Sequence, residues 1–436
     1  MITAELLEWS SWPPKEGSRI APVHLDAAPE VQELADSLHR SGRLRVRDLQ
    51  SGLCLESTSY VGTIQLGSLC VVIRPKLQGM PLLALLRYAY GLCQFEWFDS
   101  LVQDTAPHAF QELLLHQLEG EVRTLLRQGP RRGYVRREED LASPRGRIDL
   151  GASLRDLSTG RASLRCSYHP RTEDLPLNQT LRAGLVLASR LTRDPPLRLR
   201  FHRLDALLRG VTPTRLEPRL LARVLQETNR LTAAYRPALS LIQLLLEAEG
   251  MTLEDTSNPR VLPGFLFDMN RFFQALLSRF LTEHLPEYTV HEEFPLHGMM
   301  AYAPAHNPLQ RRAPVPRPDF AIREGQTVLA LLDAKYRDLW ETPLPRDMLY
   351  QLSLYALSHG ALGSATLLYP TLAARAREQV IELNDVIHGG RRASVILRPV
   401  HLHTLADLLQ REDSGDVASE RAAFARWLAL GRKTPA

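Results

Sequence analysis

The spacing of apolar and polar residues changes along the chain. In the first hundred residues, short alternating or β-branched runs at 44–46, 60–66 and 69–73 predict strands, and the spacing of 31–39 predicts a short helix. Glycine and polar turns separate these runs. We therefore expect residues 1–100 to form a β-rich N-terminal domain that contains a small sheet or barrel.

Helical spacing follows in the middle of the chain. Residues 80–91 and 110–129 each carry apolar positions three or four apart and end at a glycine, which predicts two helices. Residues 176–250 predict further helices, interrupted at Asp194-Pro195-Pro196. The intervening stretch, 130–176, is rich in Arg, Gly and Ser and has little periodicity. It predicts an extended hairpin or long loop within a helical middle region at 101–255.

Helix and strand patterns alternate in the last part of the chain, at 256–436. The predicted elements are a helix at 269–281, strands at 288–295, 317–322 and 327–336, a helix at 347–359, and strands at 365–369 and 394–398. This order indicates an α/β core around one central mixed sheet. The expected fold class is α+β multidomain, and the Pro- and Asp-containing stretch 254–263 marks the boundary before this core.

Composition limits the class of protein. The chain has 436 residues, of which 44% are hydrophobic and 23% charged, and this excludes a wholly disordered chain. It contains no apolar run of 18 residues, and its N-terminus lacks the basic-then-apolar order of a secretory signal. The four cysteines (54, 70, 93 and 166) form no close pair. We expect a cytoplasmic protein with no membrane-spanning segment, no Cys-x-x-Cys zinc site and no framework of disulfide bonds.

The charge is distributed unevenly, although the net charge is only +4. Residues 121–237 contain 24 Arg, no Lys and 12 acidic residues. Arg binds phosphate and carboxylate groups through a bidentate fork, so this region suits an acidic partner. The alternative is a codon bias toward Arg, with many of these side chains on solvated helix faces. Both interpretations stay open for any single Arg.

Two acidic residues and a lysine lie at the ends of neighbouring predicted strands. Pro318-Asp319 opens one strand, and Leu332-Asp333-Ala334-Lys335 ends the next, which is almost entirely apolar. Asp333 and Lys335 are two residues apart and therefore point to the same side of the sheet. If the strands form a hairpin, Asp319 lies beside Asp333. Two adjacent carboxylates repel each other, and a divalent cation relieves this repulsion.

These residues suit Mg²⁺-dependent hydrolysis of a phosphodiester. Mg²⁺ takes oxygen ligands, here Asp319, Asp333, the main-chain carbonyl of Ala334 and waters, and Mn²⁺ is an acceptable substitute. The ion stabilises charge during in-line attack, and Lys335 can hold the attacking water. The alternative is a plain surface ion pair, worth ~0–1 kcal/mol.

Gln351 and Tyr355 follow the strand end on a predicted helix. They are four residues apart and share one helix face, so both can meet a phosphate or order a water there. Ordinary packing of Tyr355 is the alternative. We predict that both residues support the site formed by Asp319, Asp333 and Lys335.

With these residues the chain resembles the PD-(D/E)XK nuclease superfamily and, more narrowly, the McrC family, the nuclease subunits of McrBC-type 5-methylcytosine-specific restriction systems. Further similar segments lie at 60–64, 73–76, 85–90, 143–149 (Ser-Pro-Arg-Gly-Arg-Ile-Asp) and 269–273 (Met-Asn-Arg-Phe-Phe). The resemblance extends from about residue 60 to about residue 369. It implies a PD-(D/E)XK nuclease core in the C-terminal domain.

The resemblance also implies a division of labour between subunits. The C-terminal domain is expected to cut double-stranded DNA. The N-terminal and middle regions are expected to dock on a hexameric AAA+ NTPase of the McrB type, usually a GTPase, and to stimulate it. That partner recognises methylated DNA. The Arg-rich stretch fits this docking role, and its candidate residues are Arg131, Arg132, Arg145 and Arg147. The alternative role for Arg145 and Arg147 is to brace their own loop.

One position departs from the superfamily pattern. The first helix of such nuclease cores often supplies a Glu near the metal, and Gln274 stands at the comparable position here. An amide is a weaker metal ligand than a carboxylate, so sites with one or two metals both stay open. Two other functions also stay open: a nuclease-inactive adaptor that activates the AAA+ ring, and a stand-alone repair or RNA-processing nuclease.

Overall fold

The computed structural model describes residues 2–13, 23–26, 28–50, 52–92, 109–151, 153, 163–249, 264–358 and 363–431. The chain forms two compact units. The first combines Met1–His108 with Met251–Ala436, and the second is Ala109–Gly250. The β-rich N-terminal part and the C-terminal α/β part therefore belong to one unit. The division into three domains stays a prediction, and its expected boundary at 254–263 lies outside the described residues.

Two small sheets form the N-terminal part of the first unit. The first has the order β1 (Ile2–Leu7), β6 (Leu69–Arg74), β5 (Tyr60–Leu66), β12 (Gly264–Asp268). The second has the order β2 (Ser11–Trp12), β4 (Gly52–Ser57), β3 (Leu44–Leu49). Helix α1 (Pro29–Arg40) packs against β3, and helix α2 (Gly79–Tyr90) follows β6 and ends at Gly91, which adopts the left-handed conformation. The predicted strands and both helices are confirmed.

A six-stranded mixed sheet forms the centre of the C-terminal part. Its order is β13 (Thr289–Glu292), β14 (Phe320–Glu324), β15 (Thr327–Ala334), β16 (Gly363–Thr371), β18 (Arg391–His401), β17 (Gln379–Asn384). β14 and β15 form an antiparallel hairpin, whereas β15, β16 and β18 are parallel. The predicted mixed sheet is confirmed. β17 was not predicted, because its exposed edge position weakens its apolar pattern.

Four helices belong to the C-terminal part as described. They are α8 (Met269–His284), α9 (Arg346–Ser358), α10 (Leu402–Gln410) and α11 (Gly415–Leu430). α9 packs against β16 and β18, and its Leu352 and Tyr355 join the buried core of this sheet. The apolar face of α8, including Phe272, Phe273 and Phe280, is completely buried. Helix α9 and the sheet thus share one buried core, and the buried apolar face of α8 is not part of that cluster.

The second unit, as described, contains helices and two small sheets. Its helices are α3 (Ala109–Leu126), α4 (Pro176–Leu191), α5 (Pro195–Leu207), α6 (Pro218–Gln226) and α7 (Arg236–Glu249). Pro195 begins α5 rather than only interrupting the helical region, because proline suits the first helical turn. Between α3 and α4 lie β8 (Arg137–Leu141), β10 (Leu164–Tyr168) and β9 (Arg147–Ile148) in one antiparallel sheet, and β11 (Arg171–Thr172) with β7 (Gly133–Tyr134) in another. These antiparallel pairings are nested, with Gly133 opposite Thr172 and Leu141 opposite Leu164, so the expected extended hairpin is present and β9 is added along β10.

The described cysteines, Cys54, Cys70 and Cys166, are free thiols, and Cys93 lies outside the described residues. Within the described part of the chain, none of the helices combines the length and the apolar character needed to cross a bilayer.

Candidate active site

The strand pairing brings the two predicted aspartates together. Phe320 on β14 pairs with Leu332 on β15, and one further step in this antiparallel register places Asp319 opposite Asp333. The main-chain N–H of Ala334 donates a 2.8 Å hydrogen bond to Oδ2 of Asp319. The predicted hairpin therefore forms, and both carboxylates lie at the same end of the sheet.

Asp333 is a buried carboxyl group beside a second carboxylate. Its side chain is 4% exposed, and the Lys335 ammonium Nζ lies 3.5 Å from its Oδ2. Burial and then the charge of Asp319 raise the pKa of Asp333 to about 7, although Lys335 partly opposes this rise. A cation bound next to Asp333 would therefore offset the electrostatic cost of keeping this carboxylate ionised.

Lys335 complements the two carboxylates. Burial alone lowers the pKa of its ammonium group, but the charges of Asp333 and Asp319 outweigh burial and raise that pKa above its ordinary value. Lys335 therefore stays protonated at neutral pH. Its main-chain N–H donates to the carbonyl of Leu368 on β16 (3.1 Å), which fixes the point where the side chain leaves the sheet.

Gln351 and Tyr355 meet on α9 as their spacing predicted. Gln351 Nε2 donates a 2.7 Å hydrogen bond to Tyr355 Oη. Burial raises the pKa of the Tyr355 hydroxyl, and the charges of Asp333 and Asp319 contribute to the same effect. Because the Tyr355 oxygen accepts from Gln351, its own O–H is able to donate to another group.

The donor set suits a hard cation that keeps several waters. In the described part of the chain, no group of three or more His, Cys, Asp or Glu side chains is placed to hold a metal. Asp319, Asp333 and the Ala334 carbonyl are all oxygen donors. Mg²⁺ commonly binds through one or two carboxylates and completes its shell with water. The residues present therefore fit Mg²⁺ better than a soft metal.

Gln274 lies half-buried on α8, one turn after Asn270. The side chain of Asn270 accepts a hydrogen bond from the N–H of Tyr336, so this part of α8 adjoins the end of β15. Sequence reasoning missed Glu8 and Trp9, which also contact Tyr336. No periodic pattern or motif marks those two residues.

The four predicted docking arginines lie in the second unit and fall into two pairs. Arg131 donates through its guanidinium to the Leu231 carbonyl, and Arg132 forms an ion pair with Glu173. Arg145 and Arg147 are exposed and flank Gly146, which precedes β9. Arg131 and Arg132 thus have partners within their own unit, and Arg132, Arg145 and Arg147 are all exposed.

The profile of the family described as McrBC 5-methylcytosine restriction system component matches residues 55–370. The chain belongs to this McrBC family. The match contains both predicted aspartates and Lys335, and it confirms the resemblance derived from the motifs. No curated protein matches the chain.

Two solved structures from Thermococcus gammatolerans resemble this McrBC-family chain. One is a refined half-complex from a tetradecameric assembly of McrB AAA+ hexamers with bound McrC. The similarity covers 98% of this chain and 99% of that chain, with 20% identity and a TM-score of 0.53. The other is the cryo-EM structure of the McrBC complex, with 19% identity, a TM-score of 0.44, and coverage of 65% and 88%. The first likeness shows a shared fold.

Proposed function

We propose that this McrBC-family chain is the Mg²⁺-dependent DNA endonuclease subunit of a McrBC-like, modification-dependent restriction system in the cytoplasm. The observation that carries the proposal is the buried Asp333 carboxyl opposite Asp319, with the Lys335 ammonium 3.5 Å away. Such a cluster is electrostatically unfavourable for a purely structural role because Asp333 is desolvated beside a like charge. It is favourable for a site that binds a cation and a phosphodiester.

The site residues suit hydrolysis of DNA in a PD-(D/E)XK core. Asp319, Asp333 and the carbonyl of Ala334 would hold Mg²⁺, which when bound supplies positive charge to the scissile phosphate and acidifies water. Lys335, kept protonated by the carboxylates, donates hydrogen bonds to the attacking water or to a phosphate oxygen. Tyr355, oriented by Gln351, donates its O–H toward the phosphate.

The proposed partner is a hexameric AAA+ NTPase ring of the McrB type, with GTP as the expected nucleotide. Family membership supports this, because the Thermococcus gammatolerans assembly of similar fold contains McrB AAA+ hexamers with bound McrC. The exposed Arg145 and Arg147 supply a charged surface suited to the acidic groups of such a ring. The ring would recognise methylated double-stranded DNA, and this chain would stimulate its NTPase and make the cut.

The decisive experiment is Asp333→Asn in the full chain assembled with its AAA+ partner, Mg²⁺ and methylated duplex DNA. We expect cutting to fall at least ~100-fold, while stimulation of NTP hydrolysis stays unchanged. Asp36→Asn, an exposed acid on α1, serves as the matched control and should leave both activities intact. Undiminished cutting by Asp333→Asn would overturn the assignment of the site.

A nuclease-inactive adaptor is the second candidate function, and Gln274 favours it because a neutral amide replaces the expected Glu. This adaptor would stimulate the AAA+ ring without cutting DNA. The same assay separates the two functions: an assembled wild-type complex that hydrolyses NTP but leaves methylated DNA intact at every Mg²⁺ and Mn²⁺ concentration supports the adaptor.

A further inference from the structure

Tyr336, the residue directly after Lys335, is held by two other parts of the first unit, helix α8 and the segment after β1. Its N–H donates to Asn270 Oδ1 (2.9 Å) on α8. Its carbonyl accepts from the indole Nε1 of Trp9 (2.8 Å), and its hydroxyl donates to Glu8 Oε1 (3.1 Å). The ring is 3% exposed and meets Phe273 edge-to-face. Every polar group of Tyr336 is thus engaged by a side chain distant in sequence.

The segment that supplies Glu8 and Trp9 is itself fixed in place. Glu8 is 2% exposed, its N–H donates to the Arg74 carbonyl (2.9 Å), and its Oε1 also accepts from the N–H of Lys76 (2.8 Å). Trp9 has a φ of 58°, in the left-handed region that bulky residues rarely adopt. The Arg337 guanidinium lies 5.1 Å from the centre of the Trp9 ring. A strained conformation held by this many contacts indicates a constrained role.

The hydrogen bonds between β15 and its neighbouring strands do not extend beyond Lys335, so other contacts must fix the residues that follow. β15 ends at Ala334, and the N–H of Lys335 makes the bond to Leu368 on the next strand. After that bond the chain turns, because the N–H of Arg337 donates to the carbonyl of Lys335 (2.8 Å). This turn and the contacts of Tyr336 together therefore set the direction in which the main chain leaves Lys335.

We infer that Glu8 and Trp9 are positioning residues that hold the Lys335 ammonium beside Asp333 by fixing Tyr336. This inference rests on the proposed nuclease function. It gives the N-terminal β-rich part a role in the reaction, since the segment after β1 would set the geometry of a site formed more than three hundred residues later. Displacement of a catalytic group by about 1 Å can cost on the order of 100-fold in rate.

Tyr336→Phe tests the inference with little risk to folding, because it removes one hydroxyl and keeps the ring packing. We expect kcat for DNA cutting by the full chain in its AAA+ complex to fall about 10-fold or more, with KM for DNA unchanged. Trp9→Phe, which removes the indole N–H, should act in the same direction. Tyr369→Phe is the matched control. It is a buried tyrosine on β16 whose hydroxyl has no hydrogen-bond partner in the structure, so kcat should not change.

A second readout needs neither metal nor DNA. In the metal-free full chain, hydrogen exchange at the amides of Lys335 and Tyr336 should become about 10-fold faster in Tyr336→Phe and Trp9→Phe, and stay unchanged in Tyr369→Phe. Glu8→Gln keeps an oxygen that can accept from Tyr336, so its kcat and its amide exchange should stay close to those of wild type. Glu8→Ala lacks that oxygen and should show the lower kcat and the faster exchange. Equal kcat and equal exchange in Tyr336→Phe and wild type would refute the positioning role.

The two proposals fail in different ways. A wild-type complex that does not cut DNA, or an Asp333→Asn complex that cuts normally, rejects the nuclease function whatever Tyr336→Phe does. A complex in which Asp333→Asn abolishes cutting, while Tyr336→Phe matches Tyr369→Phe in kcat and exchange, keeps the nuclease function and rejects the positioning role of Glu8 and Trp9.

Discussion

Oδ2 of Asp319 accepts a 2.8 Å hydrogen bond from the main-chain N–H of Ala334, the residue between Asp333 and Lys335. This bond ties the start of β14 to the end of β15 and orients the Asp319 carboxylate across the hairpin. It occupies one oxygen of Asp319 and leaves the other available to a cation. One hydrogen bond thus links the local strand register to the proposed metal site.

Asp319→Asn tests the charge requirement at this position while preserving the hydrogen bond. The amide oxygen can still accept from Ala334, so the fold should be retained. Loss of one carboxylate should weaken Mg²⁺ binding about 10-fold or more. Calorimetric titration of the full chain with Mg²⁺ measures this directly. An affinity equal to that of wild type would show that Asp319 is not a ligand.

Asp333 predicts an unusual pH dependence of stability in the metal-free protein. Its folded-state pKa is raised from 3.8 to about 7, so the native state binds more protons than the unfolded state between about pH 4 and pH 7. Stability should therefore fall as pH rises through this window. Asp333→Asn removes this effect and should be more stable than wild type at pH 8, by on the order of 2–4 kcal/mol, and by less at pH 5.

Urea unfolding in a chelator at the two pH values measures the difference. Saturating Mg²⁺ supplies the control: the ion binds the charged Asp333 carboxylate, so wild type should gain stability from Mg²⁺ and Asp333→Asn should gain little. A stability difference that does not depend on pH would contradict the raised pKa of Asp333.

The candidate site could be predicted from sequence because its residues are local to one hairpin. Asp319, Asp333 and Lys335 lie within 17 residues, and the apolar run of β15 fixes which side they share. The contacts of Tyr336 could not be predicted in this way. Trp9 and Tyr336 are separated by 327 positions, and neither stands in a periodic pattern that indicates their pairing.

The same distinction applies to the fold: elements with a strong local pattern could be predicted, whereas pairing between distant segments could not. Strands with a strong local pattern, such as the alternating β5 and the almost entirely apolar β15, were predicted closely. β12 pairs with β5 and joins the N-terminal sheet to the start of α8, a long-range pairing that no local pattern encodes. Pro195 was interpreted only as a break, although proline at the first turn also begins a helix.

Lys335→Gln should separate the contribution of Lys335 to the chemical step from its contribution to DNA binding. The amide keeps a hydrogen-bond donor but removes the positive charge beside Asp333, so kcat should fall on the order of 100-fold, with a smaller change in DNA affinity. Lys335→Arg keeps the charge but has a planar, larger head group, and we expect it to restore little of the rate. Single-turnover cleavage and DNA-binding titrations measure the two effects. Full activity of Lys335→Gln would exclude a role in the chemical step.

Gln274→Glu should strengthen metal binding if Gln274 occupies the place of the superfamily glutamate. A third carboxylate near Asp319 and Asp333 should lower the Mg²⁺ concentration needed for half-maximal cutting several-fold. Gln274→Ala is the control and should leave that concentration unchanged. A Gln274→Glu variant with an unaltered Mg²⁺ requirement would place this residue outside the metal site.

Gly146→Ala tests whether the turn between Arg145 and Arg147 serves the AAA+ partner. Gly146 has a φ of 68°, and an added Cβ would lie 2.5 Å from the Ser167 carbonyl oxygen, so the turn must shift. This shift moves the exposed arginines on both sides. We expect stimulation of NTP hydrolysis to fall about 10-fold or more, while Mg²⁺ binding at Asp319 and Asp333 in the isolated full chain is retained.

Gly129→Ala is the control that separates the effect of backbone strain from the effect of moving Arg145 and Arg147. Gly129 lies in the same unit with a φ of 79°, but an added Cβ would meet no atom within 4 Å. It therefore carries the strain of a positive φ, about 1 kcal/mol, without a clash. Only Gly146→Ala should lose stimulation. Equal loss in both variants would mean that general destabilisation of the second unit is responsible, because the two substitutions share their strain and differ in the contact with Ser167.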